Sequence, residues 1–578
     1  MKFLKFGWAW SSSVVSGRRG EVNPTIIAAV LLICGTVTCL PAEDRKKIYP
    51  ERWTYAGARF GSDQELAQLE EVARTSAQHG MTAVVLSGMD RISLANAAYL
   101  ARLAKFKEFC DGLHLEIIPA GFKTGYGGSI LSHDPNLAEG LAVEGALFVA
   151  GKTEARFVPD SPARLANSGF EEFKGDRANG FQEQDQPGHR SFVDRSVFHS
   201  GKASLRLENF GETAAGVARV QQEIRVTPNR CYRISAWVKT EGAEPGTLFS
   251  LKAFTADHRD LSPFEPPLAP TGGWTKVTTA FNSWYADRIF LNAGVFEGVR
   301  GKVWVDDLAI EEVGLMNVIR RDGTPLQVRD EKTGTIYKEG QDFAPVRDAK
   351  LDFQWEHEMP VIRLQAGGRI HPGARLRVDY YHGTTIYRDQ VVACPSEPRV
   401  DAIWRQQFPL VEKYVAPRKY LLELDEMRAM NRCEACRRRN MGAAEMVGDV
   451  MNRVYRMVRE FNPKAGVYVW SDMFDPNHNA VEQYYLVNGD LRDTVKYLPK
   501  DTGVVCWYYE KRRASLDFFS KLGFHTIGAA YYDADDLENP KGWLDALAET
   551  PGAEGIMYTT WSSKYKLLGA FGDLVSKH

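Results

Sequence analysis

Asp425 and Glu426 stand side by side at the end of an apolar run, KYLLELDEM (419–427). Hydrolysis of a glycosidic bond calls for such residue types. A carboxylic acid must protonate the leaving oxygen, and a second group must stabilise or trap the cation that develops at the anomeric carbon. Adjacent residues of a regular strand point to opposite faces. Both carboxyl groups can therefore meet one substrate only where the strand breaks into a loop, as it does ahead of MRAMNRC. An Asp-Glu pair is common as a solvated surface feature, so the surrounding pattern has to supply the weight. Four later apolar runs end in aromatics, often with a carboxylate: Trp470 with Asp472, Trp507 with Tyr508 and Tyr509, Tyr531 with Asp533, and Trp561. Aromatic faces stack on the apolar faces of pyranose rings, and carboxylates accept hydrogen bonds from hydroxyl groups.

These residues need a scaffold that brings several strand ends to one rim. From Lys419 onward, short apolar strands alternate with helical stretches: 419–427, 466–474, 502–510, 525–533 and 552–561. Such alternation predicts parallel βα units. Three more strands, 52–60, 81–89 and 115–122, lie far upstream, the first two each followed by a helical run. Three and five make a closed (β/α)8 TIM barrel, in which the carboxyl ends of the strands carry the site. The predicted fold class is α/β, a TIM barrel split by an inserted all-β jelly-roll or β-sandwich domain. The expected boundaries are 43–160 for the first barrel part, 161–313 for the sandwich, 314–398 for a small β insertion and 399–578 for the second barrel part.

Residues 165–313 follow a different pattern, with short alternating strands and many turn residues. NSGFEE at Asn167, YRISAWVK at Tyr232, GGWTKV at Gly272 and VWVDDL at Val303 resemble the CenC-like carbohydrate-binding modules. On the strand pattern, Trp237, Trp274 and Trp304 belong to the core, and Trp284 and Tyr285 offer an exposed platform. The resemblance implies a supporting role for Asp306 and Asp307 at a structural calcium.

Of the 578 residues, 44% are hydrophobic and 25% charged, as in globular proteins. The net charge of −2 supplies no basic field for nucleic acid. Thr25 to Leu40 is an uncharged apolar run behind Arg18 and Arg19, short for a membrane span. It reads as an export signal cleaved near Ala42 or as an uncleaved anchor, so residues 1–42 are set apart and the protein is expected to be exported, periplasmic or extracellular. Cys433 and Cys436 form a lone CxxC, which reads as a local disulfide or as plain thiols because a second ligand pair is missing. Neither a zinc-protease motif, a phosphate loop nor a nucleophile elbow is present. The expectation is no cofactor and no metal, with an oligo- or polysaccharide as partner and membrane contact only through the N-terminal run.

The barrel segments resemble the family 20 glycoside hydrolases, the β-N-acetylhexosaminidases. The resemblance implies that Glu426 is the general acid/base and that Asp425 orients the substrate's 2-acetamido group, which acts as internal nucleophile. It implies that Tyr531 holds the acetamido oxygen, that Trp470, Trp507 and Trp561 line the pocket, and that Arg59, Asp472 and Asp533 bind sugar. Tyr126 and His133 are candidates for the strand-three motif, and His478 for substrate contact or a turn cap. The pattern departs from the family at Leu421, where a His is usual, and at Ser563, where a Glu is usual. Two other readings follow: a glycosidase using two protein carboxylates on a sugar without an acetamido group, with Asp472 or Asp533 partnering Glu426, and a non-catalytic polysaccharide-binding protein.

Overall fold

The computed structural model describes residues 49–212, 215–244, 247–263 and 265–576. The apolar run at 25–40 and its cleavage position lie outside them. Among the described residues no helix is long and apolar enough to cross a membrane.

Eight parallel strands close into a barrel: β1 (Glu51–Gly57), β2 (Ala83–Ser87), β3 (Glu116–Gly121), β4 (Lys419–Leu422), β5 (Gly466–Trp470), β6 (Thr502–Cys506), β7 (Thr526–Tyr531) and β8 (Ala553–Thr559). The two separated parts of the chain join where Leu421 of β4 pairs with Ala120 of β3, and the barrel closes where Trp53 of β1 pairs with Met557 of β8. Inward residues at period two fill the lumen, among them Trp53, Val85, Ile118, Leu421, Tyr468, Val505, Ile527 and Met557. Helices cover the outside: α1 (Asp63–Gln78), α2 (Ala97–Gly112), α3 (Pro398–Tyr414), α4 (Ala443–Phe461), α5 (Arg512–Lys521), α6 (Glu538–Ala548) and α7 (Leu568–Ser576). In α4, Val447, Val450, Met451, Val454 and Val458 recur at three- and four-residue spacing and form the face turned to the barrel. The β5–β6 connection holds short 3-10 turns and the two-residue strand Leu486–Val487, which pairs with Ala429–Met430, where a barrel helix would stand.

The insertion lies between β3 and α3. Its sandwich has a five-stranded antiparallel sheet, ordered 272–282, 231–241, 302–313, 204–207, 191–194, and a four-stranded one, ordered 248–254, 288–297, 218–225, 183–184. Phe249, Leu251, Leu291, Val303 and Val305 are among the residues that pack between them. A further six-stranded sheet is built on Leu141–Ala150 paired with Arg375–His382. Residues 141–157, expected within the first barrel part, thus belong to this sheet, because the apolar strand 141–150 finds its partner across the insertion. Arg230 ties sheet to sandwich: it pairs with Glu312 at 2.5 Å and Asp160 at 2.9 Å and donates to the carbonyls of Glu144 and Gly145.

Three tryptophan expectations for the sandwich are corrected. Trp237 and Trp274 are half-buried rather than core; on the strand of Trp237, Ala236 and Val238 take the inward positions. His199 stacks flat on Trp237 at 3.9 Å and meets Trp274 edge-on at 5.8 Å. Trp304 is buried, but on the outer face under Lys239 and Lys302, with Nε1 donating to Asp194. Trp284 is no exposed platform: it is clamped between Arg432, 3.8 Å from its ring, and Arg259 at 4.5 Å. Tyr285 is 49% exposed. Asp306 accepts from the backbone N–H groups of His199, Ser200 and Asp307.

Candidate active site at the barrel mouth

Beyond Leu422 the fourth strand loses its ladder, and Glu426 takes a left-handed φ of 48°. That break lets neighbouring carboxyl groups serve one space. Gly125 makes the crossing possible: a Cβ there would lie 2.1 Å from the Asp425 carbonyl oxygen. The chain after β3 thereby lies against the pair and delivers Tyr126, whose hydroxyl donates to Glu426 Oε2 at 2.5 Å. Arg428 binds the other oxygen at 2.6 Å. Gln390, near the end of the insertion, donates to the carbonyls of Gly125 and Glu426 and accepts from Arg428.

Asp425 contrasts with its neighbour. Among the described residues its half-buried carboxyl group makes no hydrogen bond. Burial, and then the nearby carboxyl groups of Asp472, Glu423 and Glu426, hold it well above the usual carboxylate range. Asp472 is buried and accepts the Glu426 N–H and the Asn479 amide, each at 2.9 Å, and Trp507 Nε1 at 3.4 Å. Burial and the Glu426 charge outweigh these donors and push it up to about 6.

Glu423 and Lys123 are absent from the sequence expectations. Glu423 is buried and accepts from Tyr55 and Ser87 at 2.7 Å and Lys123 at 2.8 Å. Burial pushes its carboxyl group up, but Lys123 and the two hydroxyls more than offset this, and the net shift is downward. The signal was available: Leu421, Glu423 and Asp425 alternate, so a lumenal Leu421 places the two acids on the same inward row.

Trp561, on the loop after β8, is 40% exposed and touches four rings: Tyr55 at 5.6 Å, Trp470 at 6.0 Å, Trp507 at 6.2 Å and, in parallel, Tyr532 at 6.4 Å. The three expected indoles are therefore brought together, Trp470 and Trp507 beneath and Trp561 at the surface. Arg59 reaches the same loop, donating to Ser563 at 3.1 Å.

Four expectations fall elsewhere. Tyr531 does not face the lumen. It stacks on Tyr558 at 4.2 Å in the layer between barrel and helices, while Tyr532 packs inward. Alternation fails there because residues 531, 532 and 533 have φ of 90°, 56° and 64°. Asp533 binds its own scaffold, accepting from the Thr560 hydroxyl and from the N–H groups of Trp561 and Ser562. His133 pairs with Ser93 rather than with the carboxyl pair. His478 packs on Trp507 at 4.4 Å and Tyr508 at 4.6 Å, and burial with the nearby Arg428 charge lowers it to about 3, leaving a neutral ring; the turn's side-chain cap is Asp475, which accepts from the Asn477 N–H.

The reading of Cys433 and Cys436 as an isolated pair is also corrected. Cys394, from the end of the insertion, and Glu139, from the segment after β3, converge on them in a buried cluster. The separation of 42 residues between Cys394 and Cys436 hides this grouping from a spacing rule.

Residues 163–286 match the family model described as a carbohydrate binding domain. No curated protein matches the chain. Among solved structures, the chain is similar to a chitobiase of Flavobacterium johnsoniae at 8% identity, covering 91% of this chain and 48% of that one with a TM-score of 0.35. A rhamnosidase of a Novosphingobium species is 11% identical over 89% of this chain and 55% of its own, with a TM-score of 0.32. A xylan-binding domain from Paenibacillus barcinonensis is 15% identical over 28% of this chain and 97% of its own, with a TM-score of 0.20. The chain thus carries a segment matching a carbohydrate binding domain, set into a closed eight-stranded parallel barrel whose mouth gathers carboxyl groups and indoles.

Proposed function

We propose that this protein is an exported glycoside hydrolase that cleaves a terminal β-hexoside at the barrel mouth, with Asp425 and Glu426 as the reacting carboxyl groups. The observation that carries this reading is the contrast between the two acids beside a half-exposed indole. Glu426 accepts at both oxygens from Tyr126 and Arg428, whereas Asp425 has no hydrogen-bond partner among the described residues, and burial with the nearby carboxyl groups raises it well above the usual carboxylate range. One acid able to give a proton and one able to support a cation or activate an attacking group are what the reaction needs. Trp561 supplies a face on which a pyranose ring stacks, and the matching sandwich segment holds the polymer nearby.

In the first form of the proposal the sugar is N-acetylated, Asp425 orients the acetamido group and Glu426 exchanges the proton, a retaining substrate-assisted route. The position of Tyr531 favours a second form. The tyrosine expected to hold the acetamido oxygen lies in the helix layer, so two protein carboxyl groups act on a sugar without that group. In the second form Asp425, whose burial favours the protonated acid, is the proton donor.

The test is turnover of a panel of aryl β-hexosides, N-acetylated and plain, by the full chain and by Asp425→Asn and Glu426→Gln. Each substitution is expected to lower kcat by about 10²–10⁴-fold. Unchanged turnover in either variant would remove that residue from the reaction. An acetamido-thiazoline inhibitor separates the forms: strong inhibition supports the first, indifference of an active enzyme the second.

A further inference from the structure

We infer that Cys394, Cys433, Cys436 and Glu139 form a structural zinc site. The four donor atoms lie within 4.8 Å of one another, and all four residues are buried. Cys394 Sγ is 3.5 Å from Cys433 Sγ and 3.7 Å from Cys436 Sγ, and Glu139 Oε2 is 3.7 Å and 3.4 Å from the Cys433 and Cys436 sulfurs. A tetrahedral ion with Zn–S of about 2.3 Å and Zn–O of about 2.0–2.2 Å sets S···S edges of about 3.8 Å and S···O edges of about 3.5 Å. The observed edges match that figure. A disulfide would bring two sulfurs to about 2.05 Å and leave the third unpaired beside a buried carboxyl group.

The surroundings are those of a ligand set held for a cation. The second Glu139 oxygen accepts the N–H groups of Arg432 and Cys433, both at 2.8 Å, which fixes the direction in which Oε2 points. Arg321 lies 3.6 Å from Cys433 Sγ, so part of the charge of three thiolates and a carboxylate is balanced before any metal arrives. Thiolate donors select zinc over the hard cations, and four protein ligands in a closed, buried set leave no open position for substrate. The role is therefore mechanical. The ion fastens the segment after β3, the end of the insertion and the loop that follows Asp425 and Glu426. Cys394 closely follows Gln390, the residue that bridges Gly125, Glu426 and Arg428. Binding converts the three thiols to thiolates and passes their protons to solvent.

This site stands apart from the reaction at the barrel mouth, and its test does not use turnover. Elemental analysis of the purified full chain is expected to give about one zinc per chain. Cys394→Ser and Cys436→Ser are expected to lose most of it. Removal with a chelator and reloading with Co²⁺ is expected to give thiolate-to-cobalt charge-transfer absorption and a higher Tm. Glu139→Gln keeps an acceptor for the two N–H groups; it is expected to fold, bind Co²⁺ more weakly and shift the spectrum. A full chain that holds no zinc and develops no charge-transfer band with Co²⁺ overturns the site. So does a disulfide between any two of the three cysteines in non-reducing peptide mapping.

Discussion

Asp472 is the acid at the mouth whose titration has a clear consequence. Its carboxyl group is buried and raised from 3.8 to about 6. The folded protein therefore holds this proton over a pH range in which the unfolded chain has released it. Stability from this group is fully present below pH 4 and declines as pH rises toward about 6, because the native state binds more protons in that window. Asp472→Asn removes the titration. Urea unfolding across pH 4 to 7 is expected to show a smaller loss of stability with rising pH in the variant than in the parent, whatever the constant offset from lost hydrogen bonds. Equal slopes would show that Asp472 does not titrate there. The sequence placed Asp472 in the site but not its role behind the pair, since its acceptance of the Glu426 N–H depends on the strand break. Glu423 is legible from alternation with Leu421 and Asp425, whereas its partner Lys123 comes from a distant segment that no local pattern links to it.

At the scale of elements, the eight strands could be read from their apolar runs, and the split was visible because three runs lay upstream and five downstream. The inward or outward sense of residues at strand ends was less legible. Period two predicts the lumen for Tyr531, but three consecutive left-handed residues reverse the phase, so Tyr532 faces inward. The same turn positions Asp533 against the loop after β8. Three donors of that loop, the Thr560 hydroxyl and the N–H groups of Trp561 and Ser562, end on this carboxylate. Asp533→Ala strands them and is expected to cost about 1–3 kcal/mol of stability, read by urea unfolding. Because Trp561 stands on the released loop, KM for a hydrolysed aryl hexoside is expected to rise while kcat changes little. A fall in kcat with KM constant would instead place Asp533 in the reaction.

At the scale of the whole molecule, the insertion is fastened to the barrel by a contact that no strand pattern announces. The indole of Trp284 belongs to the sandwich, Arg432 to the loop after β4. Arg259, also of the sandwich, covers the ring's surroundings and donates to the carbonyls of Tyr485 and Val487 in the β5–β6 connection. Arg432 is buried, and its charge is held against burial, which with the neighbouring Arg259 lowers it to about 9. A buried guanidinium with a π face at 3.8 Å recovers part of its lost hydration, by about 2 kcal/mol for a desolvated pair. Trp284→Ala takes away that face and opens a gap between the two bodies. Truncation of a packed aromatic costs about 3–5 kcal/mol, and here the loss falls on the junction. Calorimetry is expected to show the parent's transition divided in two, with the barrel melting at lower temperature than the sandwich. The loop carrying Arg432 continues from Glu426 through Arg428, so the variant is also expected to loosen the Arg428 contact to Glu426 and lower turnover. Trp284→Phe, which restores a ring face, is expected to recover both. If Trp284→Ala melts in one transition at the parental temperature, sandwich and barrel are joined by the Arg230 cluster and the six-stranded sheet instead.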